Sequence, residues 1–133
     1  MSYKKISNLY SDSRTSEIDF KKSNEVYSND PSSWGSHTWR MLHTCAVNYP
    51  QSPDHDTIST MVSYLRSLFI IIPCKNCSDH YKSYIDANEY RLYSICSSRE
   101  SLFNFIVDIH NWVNTRLGKS EFSYAQARSL YYK

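Results

Sequence analysis

The stretch ISTMVSYLRSLFIIIPCKNC, from Ile58 to Cys77, decides the fold class. Ile58, Met61, Val62, Leu65, Leu68, Phe69 and Ile72 recur every three or four residues, the spacing of one buried helix face. Asp54 or Asp56 stands where a helix cap belongs, and Pro73 ends the run. Pro73 also suits the first turn of a further helix, where its missing N–H needs no partner. That helix carries Cys74, Cys77, Tyr81, Tyr84 and Ile85.

Helical spacing continues on both sides of this stretch. Trp39, Leu42, Ala46 and Val47 predict a helix from a start near Ser36 to a stop at Pro50. A looser stretch, residues 86 to 98, leads to a fourth helix. Its inner face is read as Leu102, Phe105, Ile106, Ile109, Val113 and Leu117, with Gly118 as the left-handed stop. Ser123-x-x-Gln126 reads as a capping box opening a short fifth helix through about Tyr131. The expected fold is all-α: an antiparallel four-helix bundle plus a short fifth helix. Residues 1–33 differ in composition. Ser, Asn, Lys, Asp and Glu dominate them and the apolar residues are scattered, so they read as a flexible polar arm ahead of a helical domain at 34–133.

Composition removes several function classes. The chain has 133 residues and only 2 glycines, Gly35 and Gly118, so no glycine-rich phosphate loop can be written. A net charge of +2 is too weak to argue for nucleic acid. The longest apolar run, Leu68 to Ile72, is far short of the ~20 residues that span a bilayer. The first residues carry no apolar signal-peptide region. These features lead to the expectation of a cytoplasmic protein with no membrane span.

Four cysteines are present, and two of them form Pro73-Cys74-Lys75-Asn76-Cys77. Cysteines three apart at a helix start lie close enough to bond, and the free N–H groups there lower a thiol pKa. Thiol–disulfide exchange needs such a thiolate. Three other readings compete for the same spacing. The pair could be half of a zinc site, with His80 and Cys45, Cys96 or His43, an inert disulfide, or a thioredoxin-like motif, although the flanking pattern is helix–Pro–helix rather than strand–helix. A second feature is His110-Asn111-Trp112-Val113-Asn114 with Leu117-Gly118-Lys119. His110 and Asn114 share a helix face, which fits either a planar polar ligand or a solvated edge, and Lys119 is in reach of a phosphate. Trp34-Gly35-x3-Trp39-x2-Leu42-His43-Thr44 is the third, either core or the wall of a flat ring site.

Together, in this order, the three blocks resemble the Erv/ALR family of flavin-linked sulfhydryl oxidases, from about Trp34 to Tyr131. The resemblance implies FAD held within the helical bundle and a thiol oxidase that makes disulfides in a thiol-containing protein substrate. Oxygen would be the electron acceptor, with hydrogen peroxide released. It implies Cys74 and Cys77 as the catalytic disulfide, with Cys77 beside the flavin and Cys74 exchanging with substrate. It assigns cofactor contacts to Gly35, Trp39, His43, Tyr49, His110, Asn111, Val113, Asn114, Lys119, Phe122 and Tyr131, and no metal. A homodimer through the first two helices is also implied.

Departures from the family pattern are specific. Many cellular members carry Arg after the first glycine, where this chain has Ser36, which removes one cofactor contact. Val107 and Tyr124 stand where cellular relatives have a structural disulfide. The arm has no shuttle cysteines, so direct oxidation of a partner is expected. Cys45 is expected as a buried free thiol, and Cys96, in the looser region, is left open to a transient exchange role. The short form resembles versions encoded by large cytoplasmic DNA viruses, which implies a viral late protein of the host cytoplasm or virion.

Overall fold

The structure, a computed structural model, describes residues 29–132. Six α-helices follow in order, with no strand among the described residues: α1 Pro31–Val47, α2 His55–Ser67, α3 Lys75–Ala87, α4 Leu92–Ile95, α5 Arg99–Arg116 and α6 Tyr124–Tyr131. One 3₁₀ turn, Leu68–Ile71, joins α2 to α3, and another, Glu89–Arg91, precedes α4. None of these helices is long and apolar enough to cross a membrane.

Helix α5 is central. Leu102, Phe103, Phe105, Ile106, Val107 and Ile109 are all buried, so its first three turns are apolar on all but the stripe of Glu100, Asn104 and Asp108. It packs most extensively on α1, while α4 and α6 cover its flanks. Phe103 and Val107 fall outside the stripe read from the sequence, because that stripe assumed a helix covered on one face only. Leu117 is corrected in the opposite sense. It is 58% exposed, since it caps α5 beyond the last neighbouring helix.

Local chemistry sets the ends. Helix α1 begins at Pro31, not near Ser36, because the Asp30 carboxylate accepts from Ser32 N–H and proline fills the first position. Residues 31–33 therefore belong to the helix and not to an arm, and the arm expected at residues 1–28 lies outside the described residues. Asp54, accepting from Thr57 N–H, caps α2, and Asp56 falls in its first turn. Pro73 lies before α3 and not within it, since Cys74 takes the cap position. The looser stretch contains α4, a single turn held by buried Leu92 and Ile95. The Ser123–Gln126 capping box is present in full.

Gly118 has φ +69°, the left-handed value that stops α5. No atom beyond its immediate chain neighbours lies within 4 Å of an added Cβ there, so a substitution meets backbone strain alone. Gly118→Ala is expected to lower unfolding free energy by about 1 kcal/mol. Urea denaturation would measure this, and an unchanged midpoint would contradict the backbone account.

Candidate active site

Five of the residues singled out in sequence converge where α1, α5 and α6 meet. Trp39 and His43, four apart on α1, face His110 of α5. The Trp39 and His110 rings stack with centroids 4.2 Å apart and 6° between planes. His43 Nε2 lies 2.9 Å from His110 Nδ1, so one of the two nitrogens donates and the other accepts. Tyr131 stacks on the other face of this group, 4.5 Å from His43, and Phe122 stands edge-on to His110.

Asn111 fixes the loop that brings Phe122 in. Its Nδ2 donates to the Phe122 carbonyl at 2.7 Å, and its Oδ1 accepts from Phe122 N–H at 3.0 Å. Asn114 is buried, and its backbone carbonyl accepts from Leu117 and Lys119 N–H. That bond folds Lys119 back over the end of α5, where its charge bears on His110. Val113 is half-buried on the same helix. Tyr49 is engaged elsewhere: its hydroxyl donates to the Cys96 carbonyl at 2.8 Å, and its own carbonyl accepts from Arg99.

Two observations mark this cluster as a place for something other than protein. Gly35 sits inside α1, where glycine costs about 1 kcal/mol against alanine. An added Cβ would meet nothing within 4 Å, so the chain's own packing gives no reason for the small residue. His43 is wholly buried, yet its Nδ1 has no hydrogen-bond partner. Buried polar atoms are nearly always paired, so a polar planar group seated beside His43 accounts for both.

The cysteine pair forms the first turn of α3. Cys74 Sγ accepts from Cys77 N–H at 3.2 Å, and the Cys77 thiol lies 2.6 Å from it. Those two hydrogen bonds hold the Cys74 pKa below the ordinary thiol value. Burial, and then the neighbouring Cys74, pushes Cys77 up to about 11. Ser78 Oγ donates to the Phe69 carbonyl, fixing the 3₁₀ turn against this end of α3. One turn further, His80 and Tyr84 meet Trp112 of α5, the physical link between the dithiol helix and the helix bearing His110.

His80 accepts from Arg116 at 2.6 Å rather than turning toward the sulfurs. No group of three His, Cys, Asp or Glu side chains gathers at one point among the described residues. Of the other cysteines, one expectation is corrected and one open reading is narrowed. Cys45 is exposed, on the outer face of α1 beside Met41, because buried Ala46 and Leu42 hold the helix the other way. Cys96 is fully buried, and burial pushes its thiol up to about 11, which suits core packing and not exchange. From sequence, His80 is named only as a possible zinc ligand and Tyr84 and Trp112 only within their helices, and the three are not brought together. The i, i+3, i+7 series from Cys77 through His80 to Tyr84 was the available signal.

The Erv1 / Alr family model matches residues 36–132. A protein of Invertebrate iridescent virus 3 that carries the name of an FAD-linked sulfhydryl oxidase is 36% identical over 92 residues, 69% of this chain and 61% of that protein. One from Invertebrate iridescent virus 6, similarly named, is 36% identical over 68% of this chain and 84% of its own length. The first match thus spans less than two thirds of the relative. The crystal structure of the yeast Erv1 core superposes with a TM-score of 0.72 at 28% identity, covering 81% of this chain and 88% of that one.

Two predictions follow from these environments. Burial drives His43 down to about 4, and burial together with His43 and Lys119 drives His110 down to about 4. Unfolded, both would titrate near ~6.5. Between those values the unfolded chain binds more protons, so stability is complete above pH ~6.5 and is lost as pH falls toward ~4. Melting temperature should therefore hold between pH ~8 and ~7 and drop on acidification, with a shallower drop in His110→Asn. Separately, in the reduced protein Cys74 should alkylate before Cys77, with a midpoint below that of an ordinary thiol. Peptide mapping after timed iodoacetamide pulses would read this, and preferential labelling of Cys77 would reverse the assignment.

Proposed function

The chain belongs to the Erv1 / Alr family, and on that premise we propose that it is an FAD-dependent sulfhydryl oxidase forming disulfides in protein substrates. The observation that carries this reading is the Cys74–Cys77 pair at the cap of α3, with one sulfur favoured as thiolate. In the forward half-reaction a substrate thiolate attacks Cys74 Sγ of the oxidised pair, and Cys77 departs as the leaving sulfur. A second substrate thiol then attacks the mixed disulfide. The substrate leaves with a new disulfide, and two protons and two electrons remain with Cys74 and Cys77. FAD supplies the remaining chemistry when bound, accepting that electron pair and delivering it to dioxygen, which becomes hydrogen peroxide.

The fit of this cofactor rests on the chain's own anomalies. A flat ring system with polar edges answers the unpartnered His43 Nδ1 and the open space above Gly35. Trp39, His110, Phe122 and Tyr131 would enclose it, with Asn111, Val113 and Asn114 lining the α5 side and Lys119 offering a charge. Tyr49 would act from beneath, through the position it gives the end of α1. We take the substrate to be oxidised directly by Cys74. A homodimer through α1 and α2 is supported by the exposed Met41, Cys45 and Tyr64 on that side. Residues 34–133 are taken as the oxidase domain. The viral relatives support a viral protein acting in the host cytoplasm or virion.

Purified protein should be yellow, consume oxygen with a dithiol, and sediment at twice its 15.7 kDa chain mass. Cys77→Ser should retain FAD and lose oxygen consumption, while Cys45→Ser should keep both. Undiminished turnover in Cys77→Ser would refute the route.

A further inference from the structure

A groove of about 460 Å³ runs between α1 and α6, lined by Ser36, Arg40, Thr44, Leu130 and Tyr131. Ser36, Arg40 and Thr44 lie four residues apart, so they form one ridge along α1. Tyr131 makes the facing wall, and its ring is the one stacked on His43. The groove therefore opens beside the buried imidazole whose Nδ1 lacks a partner. Arg40 is the groove's cation. None of the lining residues is acidic, and no carboxylate of the described residues pairs with Arg40.

We propose that Arg40 is the anchor for the diphosphate of the flavin nucleotide, standing in, one helical turn later, for the arginine that this chain replaces by Ser36. The inference rests on the FAD reading above. Its physical basis is reach and geometry. One turn moves a side chain about 5.4 Å along the same helix face, a shift that a long guanidinium side chain spans. The small Ser36 leaves that end of the ridge open. A guanidinium matches phosphate oxygens with two parallel N–H bonds, which an isolated point charge does not. Lys119, outside the groove's lining, places a further positive charge near His110. Arg40 also bears on the Tyr131 hydroxyl, which puts its charge at the groove wall.

The test follows FAD leaving the holoenzyme, read as the rise in flavin fluorescence after dilution, at low and high potassium chloride. Arg40→Ala should release FAD roughly tenfold faster or more, the scale of one hydrogen bond to a charged group. Its release should also respond less to salt than the wild type's. Arg40→Lys should fall between the two. Adding Ser36→Arg to Arg40→Ala should slow release again, an outcome that loss of packing at Arg40 would not produce. Arg40 is exposed, and far-UV circular dichroism would check that each variant keeps its helices. Wild-type release rate and salt response in Arg40→Ala would overturn the proposal, as would failure of Ser36→Arg to restore retention. A wild-type protein that carries no FAD would overturn the cofactor reading itself, and is seen before any variant is made.

Discussion

One hydrogen bond between two imidazoles, His43 on α1 and His110 on α5, governs the interior of this protein. The two helices cross at the centre of the bundle, and a polar pair at that crossing has to be satisfied within the fold. Trp39 and Tyr131 enclose the pair by stacking, and Phe122 closes its edge. Phe122 is held there by both ends of the Asn111 amide. The loop after α5, the start of α6 and the packing of α1 are thus tied to one proton shared between two rings. Burial is what makes both rings resist protonation, and at His110 the neighbouring His43 and Lys119 add to it.

Helix existence was legible in the sequence because burial is periodic. The Ile58–Ile72 stripe, the Gly118 stop and the Ser123–Gln126 box all appear where their local chemistry requires. What failed depended on neighbours. Cys45 is expected as a buried thiol of the first helix, yet it stands one residue from buried Ala46, and one residue rotates a helix position by more than a quarter-turn and carries it to solvent. Leu117 follows the stripe in register, but no element covers it. Asp30-Pro31 is a complete helix start, and the polar residues before it disguised it as arm.

The site was legible in a different way. Composition and spacing singled out the cysteine pair and the polar row on α5, but left their chemistry open between exchange, metal and inert structure. Only the ordered set of three blocks narrowed it, through resemblance. The tertiary arrangement then distinguishes among those residues. Trp39, His43, His110, Phe122 and Tyr131 meet in space, whereas Tyr49 serves Cys96 and Arg99. No linear pattern could separate the two groups, since all six are aromatic and lie on or beside helices.

The cap of α3 couples helix stability to sulfur chemistry. Most N-caps use the oxygen of Ser, Thr, Asp or Asn to satisfy a free N–H. Here Cys74 Sγ accepts from Cys77 N–H. A thiolate accepts that bond far better than a sulfur already committed to a disulfide, and the helix dipole favours the same charge. The cap therefore favours the reduced pair over the oxidised one. A disulfide whose reduced form is stabilised is the stronger oxidant, which suits the exchange proposed for this pair. Ser or Asp at position 74 would cap α3 at least as well, so helix stability alone gives no reason for sulfur at that position.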